Sequence, residues 1–353
     1  MTGWECSPEA LSRYFWDRTL ASGIVDESSR QDLFGSPSRA SRADIAMKER
    51  WEREHAEASE IAARLPGNVF FGTSSWGFPG WAGIVYSRRA APGQLAREGL
   101  AEYARHPLLT TVGIDRGFYA PIPEADLLRY AAQLPAGFRC CSKAPAAVTA
   151  AELPGQRTAN PEFLRPERFV EEMVEPFRAA FADHAGPFLL QFPPAGAGRR
   201  DRPASFASKL GRFLAALPRD FRYAVELRDR SLLTEEYRAA LAEAGAAHVY
   251  NYATAMPMPQ VQAAAVPLQT TASFTVIRLL LAPGTRYNDR RKEFEPFDRI
   301  VAPDLEMRRQ VVSLARQASS LGRDVFVLVN NKAEGCSPLT IRALAEMLAS
   351  ESA

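Results

Sequence analysis

Val69-Phe70-Phe71-Gly72-Thr73-Ser74-Ser75-Trp76-Gly77-Phe78-Pro79-Gly80-Trp81 is the stretch from which the rest of the chain is read. It opens as a short apolar, β-favouring run. At Gly72 it breaks into hydroxyls, glycines and two tryptophans, as a buried strand does when it opens into a loop that must approach something closely. Read as the first strand of a repeat, it calls for further strand-then-helix units downstream. Apolar runs follow at Thr110–Ile114, Phe138–Ser142, Pro187–Gln191, Tyr223–Glu226, His248–Asn251, Phe274–Leu280 and Asp324–Val329, which with Val69–Gly72 makes eight strands. Amphipathic segments lie between most of them, at Gln94–Arg105, Pro123–Gln133, Pro166–Asp183, Ala204–Leu217, Thr234–Ala244 and Asp304–Leu321. A last one, Pro338–Leu348, follows Ser337 as its N-cap.

Eight such units match an α/β fold of the (β/α)8 TIM type. An open doubly wound sheet is the runner-up, but the turn Gly72-Thr73-Ser74-Ser75-Trp76-Gly77 lacks the G-x-G-x-x-G spacing that such a sheet usually carries after its first strand. Two connections break the rhythm: Ala253–Ser273 and Ala282–Pro303 read as long loops on the catalytic face.

Upstream, residues 1–66 form an extension to the barrel domain of residues 67–353. Ser22 to Ser41 is rich in Ser, Arg and Asp and reads as loop or disorder. Arg42 to Leu65 interleaves charges with Ile45, Trp51, Ala58 and Ile61, a helix with a thin apolar stripe. A solvated helix packed on the outside of the barrel is the preferred reading, with a protein partner docking through residues 1–66 as the other.

Composition narrows the classes. In 353 residues, 43 Lys and Arg nearly balance 41 Asp and Glu, so no global basic footprint for nucleic acid is present. The four cysteines, Cys6, Cys140, Cys141 and Cys336, have no C-x-x-C spacing and fit a reduced, cytoplasmic chain. The four histidines are scattered without metal-ligand spacing, so no metal site and no cofactor is implied by motif. No run is long enough for a membrane span and no signal segment opens the chain.

In a (β/α)8 barrel the residues at the C-terminal strand ends converge on one mouth. Here they are Thr73 and Trp76, Asp115 and Tyr119, Lys143, Gln191, Glu226 and Arg228, Asn251, Arg278 and Asn330. Strand five is the most informative. Tyr223, Val225 and Leu227 alternate with Ala224, Glu226 and Arg228, so the second set is expected to face the barrel axis, and the same parity turns Cys141 and Lys143 inward. A buried carboxylate beside a lysine and two arginines suits acid–base chemistry on an anionic or polyhydroxyl molecule. A satisfied ion pair that only fills the barrel is the competing account of Glu226. Cys141 reads as a packed thiol. Arg286, Arg290, Arg291 and Lys292, with Gly335 and the Ser337 helix start, are weighed as a phosphate site against a solvated loop. A divalent metal held by Asp115, Glu226 and Asp229 is weighed against Asp229 as a turn residue.

Several of these residues carry a family likeness. Gly72-Thr73-Ser74-Ser75-Trp76, Phe118-Tyr119, Phe138 with Lys143-Ala144-Pro145, Leu190-Gln191-Phe192-Pro193-Pro194, Val225-Glu226-Leu227-Arg228, Ile277-Arg278-Leu279 and Asn330-Asn331 resemble, in order, the YecE-like family, domain of unknown function 72, over about Asn68 to Leu348. The resemblance implies a TIM-type barrel and no particular reaction, and it carries Lys143, Glu226, Arg228, Arg278, Gln191 and Asn330 over as site candidates. The chain departs from the family pattern at Gly113 and Asp115, where the family usually has Glu and Asn, and at Asp229, Leu280 and Lys332, where it often has His.

The leading expectation is therefore a metal-independent barrel enzyme acting on a small anionic or sugar-like molecule. Glu226 and Lys143 are its acid–base pair, Arg228 and Arg278 its anion clamp, and Gln191, Asn330, Thr73, Trp76, Asp115 and Tyr119 contact the substrate. On this reading Glu226→Gln leaves the fold intact and removes turnover. The alternative is a catalytically degenerate barrel that binds a ligand or acts as a scaffold, which the family departures favour. A nucleic-acid-binding or processing protein using Trp76, Tyr287 and the strand-seven basic loop is the second alternative, and the near-neutral charge argues against it.

Overall fold

The computed structural model describes residues 41–152, 158–194, 203–270 and 272–350. Eight parallel strands close into a barrel in sequential order: β1 (Val69–Thr73), β2 (Thr111–Ile114), β3 (Arg139–Lys143), β4 (Ala185–Phe192), β5 (Tyr223–Leu227), β6 (Ala247–Tyr252), β7 (Phe274–Leu279) and β8 (Asp324–Val329). β8 returns to β1, with Val69 opposite Val325 and Thr73 opposite Val329, so no edge remains unpaired. The expected eight strands are all present; most differ from the sequence reading by a residue or so, and β4 is longer at both ends.

The alternation of apolar residues sets two layers. One interior cluster holds Phe70, Cys141, Leu189, Ala224, Val249, Val276, Phe326 and Leu328, one side of each contributing strand. The other strand faces join the helices in a larger core with Phe71, Cys140, Leu190, Val225, Ile277 and Val327. Ala224 is inside and Tyr223, Val225 and Leu227 are outside, as the parity of strand five requires. The C-terminal continuation of the inner positions is polar, and this is what builds the mouth.

Gly72 sits where β1 pairs with β2, opposite Thr111. A Cβ there would lie 2.0 Å from the Thr111 carbonyl oxygen, so only glycine admits this approach of the two backbones. Gly72→Ala is expected to cost about 1–3 kcal/mol, the usual range for overpacking a closed core. Denaturant unfolding with an unchanged midpoint would show that β1 and β2 do not approach this closely.

The helices also depart from the sequence reading in instructive ways. The segment expected at Gln94–Arg105 divides at Gly99 into Pro92–Glu98 and Leu100–Tyr103. The one expected at Pro166–Asp183 runs Pro166–Phe169, then a π turn at Val170–Val174, then Glu175–Ala180. Pro176 lacks the N–H that a regular turn requires, and the widened turn precedes it. The two long loops each contain a helix, Pro259–Ala265 and Tyr287–Phe294. Ser337 is the first residue of the last helix, Ser337–Ser350, rather than its cap.

The segment Arg42–Ala62 is a helix with a capping box, in which Ser41 accepts from the Asp44 N–H and the Asp44 carboxylate accepts from the Ser41 N–H. It buries Ala58 and Ile61, donates a hydrogen bond from Trp51 Nε1 to Val85 O at 3.0 Å, and presents Glu54 and Glu57 to Arg342 of the last helix. It thus packs on the outside of the barrel. Of the stretch expected as loop, residues 22–40 lie outside the described residues. None of the described helices is long and apolar enough to cross a membrane.

Candidate functional site

A chain of charged groups crosses the barrel mouth. From β7, Arg278 donates through Nη1 to Glu226 Oε2 of β5 at 2.5 Å and through Nη2 to both oxygens of Asp115, just past β2, at 3.1 and 3.2 Å. Arg228, just past β5, donates from Nε to the other Glu226 oxygen at 2.5 Å, and its Nη2 meets Gln191 Oε1 of β4 at 3.5 Å. Glu226 and Arg278 are buried, at 0% and 1% exposure, whereas Asp115 and Arg228 stay partly open. Both Glu226 oxygens are thus engaged by guanidinium groups, and the exposed members of the chain face the opening.

Lys143, at the end of β3, joins this group differently. Its ammonium lies 3.5 Å from the centre of the Phe118 ring, a cation–π contact, and makes no salt bridge among the described residues. Burial, with Arg278 and Arg228 adding to it against the pull of Asp115 and Glu226, brings Lys143 down to about 8. Glu226 moves the other way. Burial pushes its carboxyl up, but Arg228, Arg278 and Lys143 outweigh it and hold the group at about 2. The mouth therefore contains a fixed carboxylate and an amine whose charge changes near neutrality.

Of the other residues expected there, the structure brings some to the mouth and turns others away. Gln191 and Asp115 belong to the chain itself. Asn330 follows β8 on the inward parity, and its Oδ1 accepts from the Lys332 ammonium at 3.2 Å. Tyr119 stands on the rim with its ring edge-on to Phe118 and is 51% exposed. Thr73 is on the helix side of β1, where its hydroxyl donates to Ser75 O and meets the Tyr103 hydroxyl at 2.9 Å. Trp76 is packed edge-on against Tyr130 and donates to Leu95 O. Thr73 is turned outward by the parity of β1 and Trp76 packs among the helices, so neither is brought to the mouth.

Cys141 is enclosed in the barrel interior, and burial first of all pushes its thiol up to about 12. The start of the Ser337 helix offers no free phosphate cradle: Asn331 Oδ1 accepts from the Ser337 N–H at 2.8 Å and from its hydroxyl at 2.6 Å. Arg290 pairs with Glu293 on their own helix, and Arg291 with Glu295 just past its end. Asp229 accepts from the Ser231 N–H and hydroxyl, as a turn residue does, rather than joining Asp115 and Glu226. Among the described residues no three His, Cys, Asp or Glu side chains gather in a metal-binding group.

Two features of the mouth are not legible in the sequence: the burial of Lys332, and the support behind Asn251. Lys332 is 6% exposed, its ammonium lies 4.4 Å from the centre of the Tyr287 ring, and burial brings it down to about 8, with Arg291 adding to the fall and Asp115 and Glu295 opposing it. Its position after Asn330-Asn331 is visible, but a lysine two residues beyond a strand usually points to solvent. Asn251 of β6 is fully buried; its Nδ2 donates to Leu227 O while its Oδ1 has no partner among the described residues. Behind it, Gln262 holds the Asn251 backbone by both N–H and C=O and also meets His248, which in turn meets the Tyr237 hydroxyl. No sequence pattern links Gln262 to Asn251, since they meet only through the helix Pro259–Ala265.

Fold and site together define a parallel (β/α)8 barrel whose charged groups collect at the C-terminal strand ends. The family model for proteins of unknown function DUF72 matches residues 70–353, and the chain belongs to that family. Among solved structures, a DUF72 family protein from Thermotoga maritima MSB8 is similar with a TM-score of 0.57 and 19% identity, covering 79% of this chain and 98% of that one. A DUF72 family protein from Enterococcus faecalis V583 gives a TM-score of 0.55 and 16% identity, covering 79% and 95%. Likeness at these identities speaks for the fold alone. No curated protein matches the chain.

Proposed function

We propose that the barrel is an enzyme that moves a proton on a small anionic or sugar-like substrate, with Lys143 taking and returning that proton. The observation that carries this reading is the state of the Lys143 ammonium: 9% exposed, without a salt bridge among the described residues, and down to about 8. An amine so placed exists in both protonation states near neutral pH, which general acid–base catalysis requires. Glu226 then has another role than the one its sequence suggests. With both oxygens held by Arg278 and Arg228 and its carboxyl at about 2, it is a fixed anchor that aims the two guanidinium groups. The outer N–H groups of Arg228, beside Gln191, face the substrate anion.

Two measurements test this. The rate at which acetic anhydride acylates Lys143, followed by peptide mass spectrometry, is expected to titrate with a midpoint near 8; a midpoint at the ordinary lysine value removes the acid–base role. Solvent deuterium entering a panel of small carboxylates and sugars is the direct readout. Exchange that is present with the parent protein and abolished by Lys143→Met supports proton transfer. A barrel that binds without turnover is the second reading, favoured by the complete pairing of Glu226, and ligands that bind but never exchange would establish it.

A further inference from the structure

We propose that the mouth binds a phosphate monoester whose organic part carries a flat ring, the phosphoryl group between Lys143, Arg228 and Lys332 and the ring against Tyr119 and Tyr287. This rests on the reading of the mouth as a small-anion site and goes further by naming the ligand. Charge supplies the first argument. Among the described residues the salt bridges of Arg228 and Arg278 run to Glu226 and Asp115, Lys143 and Lys332 make none, and Arg291 and Glu295, which also act on Lys332, pair with each other. Two positive charges are left over when both lysines are protonated. A single carboxylate ligand would neutralise one of them, whereas a phosphate monoester carries nearly two negative charges at neutral pH.

Placement is the second argument. Both Nη groups of Arg278 are engaged by Glu226 and Asp115, while its buried Nε has no partner among the described residues, and neither lysine has a carboxylate partner there. Lys143 rests on Phe118 at the end of β3, and Lys332 rests on Tyr287 and Asn330 Oδ1 just past β8, both at the C-terminal end of the barrel. Ammonium groups serve phosphate as compact charges with three donors each, and the Arg228 fork adds directed N–H groups.

The rim supplies the third. Seven large hydrophobic side chains are exposed among the described residues, and the two aromatic ones, Tyr119 and Tyr287, at 51% and 40% exposure, both stand at this mouth. Each stands beside one of the lysines: Tyr119 is edge-on to Phe118, on which Lys143 rests, and the Lys332 ammonium lies over the Tyr287 ring. Lys332 holds Tyr287 by its ring face, leaving much of the side chain open. Exposed aromatic faces next to a cluster of cations form a stacking platform beside an anion site.

The test follows thermal unfolding of the full chain with inorganic phosphate, methyl phosphate, phenyl phosphate and phenol. Specific binding to the native state raises Tm by mass action. Phosphate and methyl phosphate are expected to raise it, phenyl phosphate to raise it further, and phenol to leave it unchanged. Lys332→Met is expected to weaken phosphate binding about tenfold, the loss typical of one charge-assisted contact. Tyr119→Ala, which removes a ring that contacts neither lysine directly, is expected to narrow the difference between phenyl phosphate and methyl phosphate. No shift with any phosphate, or equal shifts for phenyl and methyl phosphate in the parent protein, overturns the proposal, and neither comparison depends on a variant that must fold. Phosphate binding with an ordinary Lys143 titration would overturn the acid–base reading alone. A Lys143 midpoint near 8 with no phosphate response would overturn this proposal alone.

Discussion

Glu226→Gln is expected to destabilise the protein by about 3–5 kcal/mol, the range for removing one partner of a buried ion pair. This reverses the expectation from sequence that the substitution spares the fold. Glutamine keeps the size of the side chain but removes the charge that compensates Arg278, which is 1% exposed and would then lean on Asp115 alone. The pH dependence identifies the cause. The folded carboxyl titrates at about 2 and the unfolded one near 4.5, so the unfolded chain binds the proton first as pH falls. The stabilisation is complete above 4.5 and is lost as pH falls through 2. Urea unfolding of parent and variant should therefore differ most at neutral pH and converge in acid. Adding Arg278→Met should recover part of the loss, because it removes the uncompensated cation. Equal midpoints for parent and Glu226→Gln at pH 7 would mean that Arg278 is not held in the way described.

Lys143→Met is expected to do the opposite: to stabilise the fold by about 3 kcal/mol at pH 7 while removing proton transfer. The ammonium is held in the folded chain at a cost, since its folded value of about 8 lies below the unfolded 10.5. A lowered lysine destabilises fully below pH 8, where both states are charged, and ceases to do so as pH rises from 8 to 10.5 and the folded amine is neutral first. Methionine fills the same length without a charge to bury. The gain over the parent should thus be largest below pH 8 and fade above it. A variant no more stable than the parent at pH 7 would show that Asp115 and Glu226 already balance the ammonium, and the poised amine on which the proposed function depends would be absent.

How far the sequence reaches is decided by periodicity. The strands are legible because apolar runs with β-branched and aromatic residues recur between helical patterns, and strand five even exposes its inward face through Ala224 and Glu226. The helix Tyr287–Phe294 is hidden because only Phe294 is buried, so there is no apolar stripe to read. Thr73 and Trp76 read as mouth residues because they follow a strand; the side on which a loop leaves the barrel is fixed by partners such as Tyr103 and Leu95, far from the loop in pattern if not in number. Lys332 and the Gln262 support of Asn251 belong to the same class of tertiary facts.

The linked side chains Asp115, Arg278, Glu226 and Arg228 tie β2, β7 and β5, strands that are not neighbours in the barrel. Such a tie makes the positions inherit change together. A lineage that alters the ligand charge by replacing one member also loosens the barrel, so the viable routes are paired exchanges that keep the sum of charges along the chain. Change at these four positions is expected to come in compensated steps rather than singly, while Tyr119 and Tyr287, which brace nothing across the barrel, remain free to drift and to retune which molecule enters.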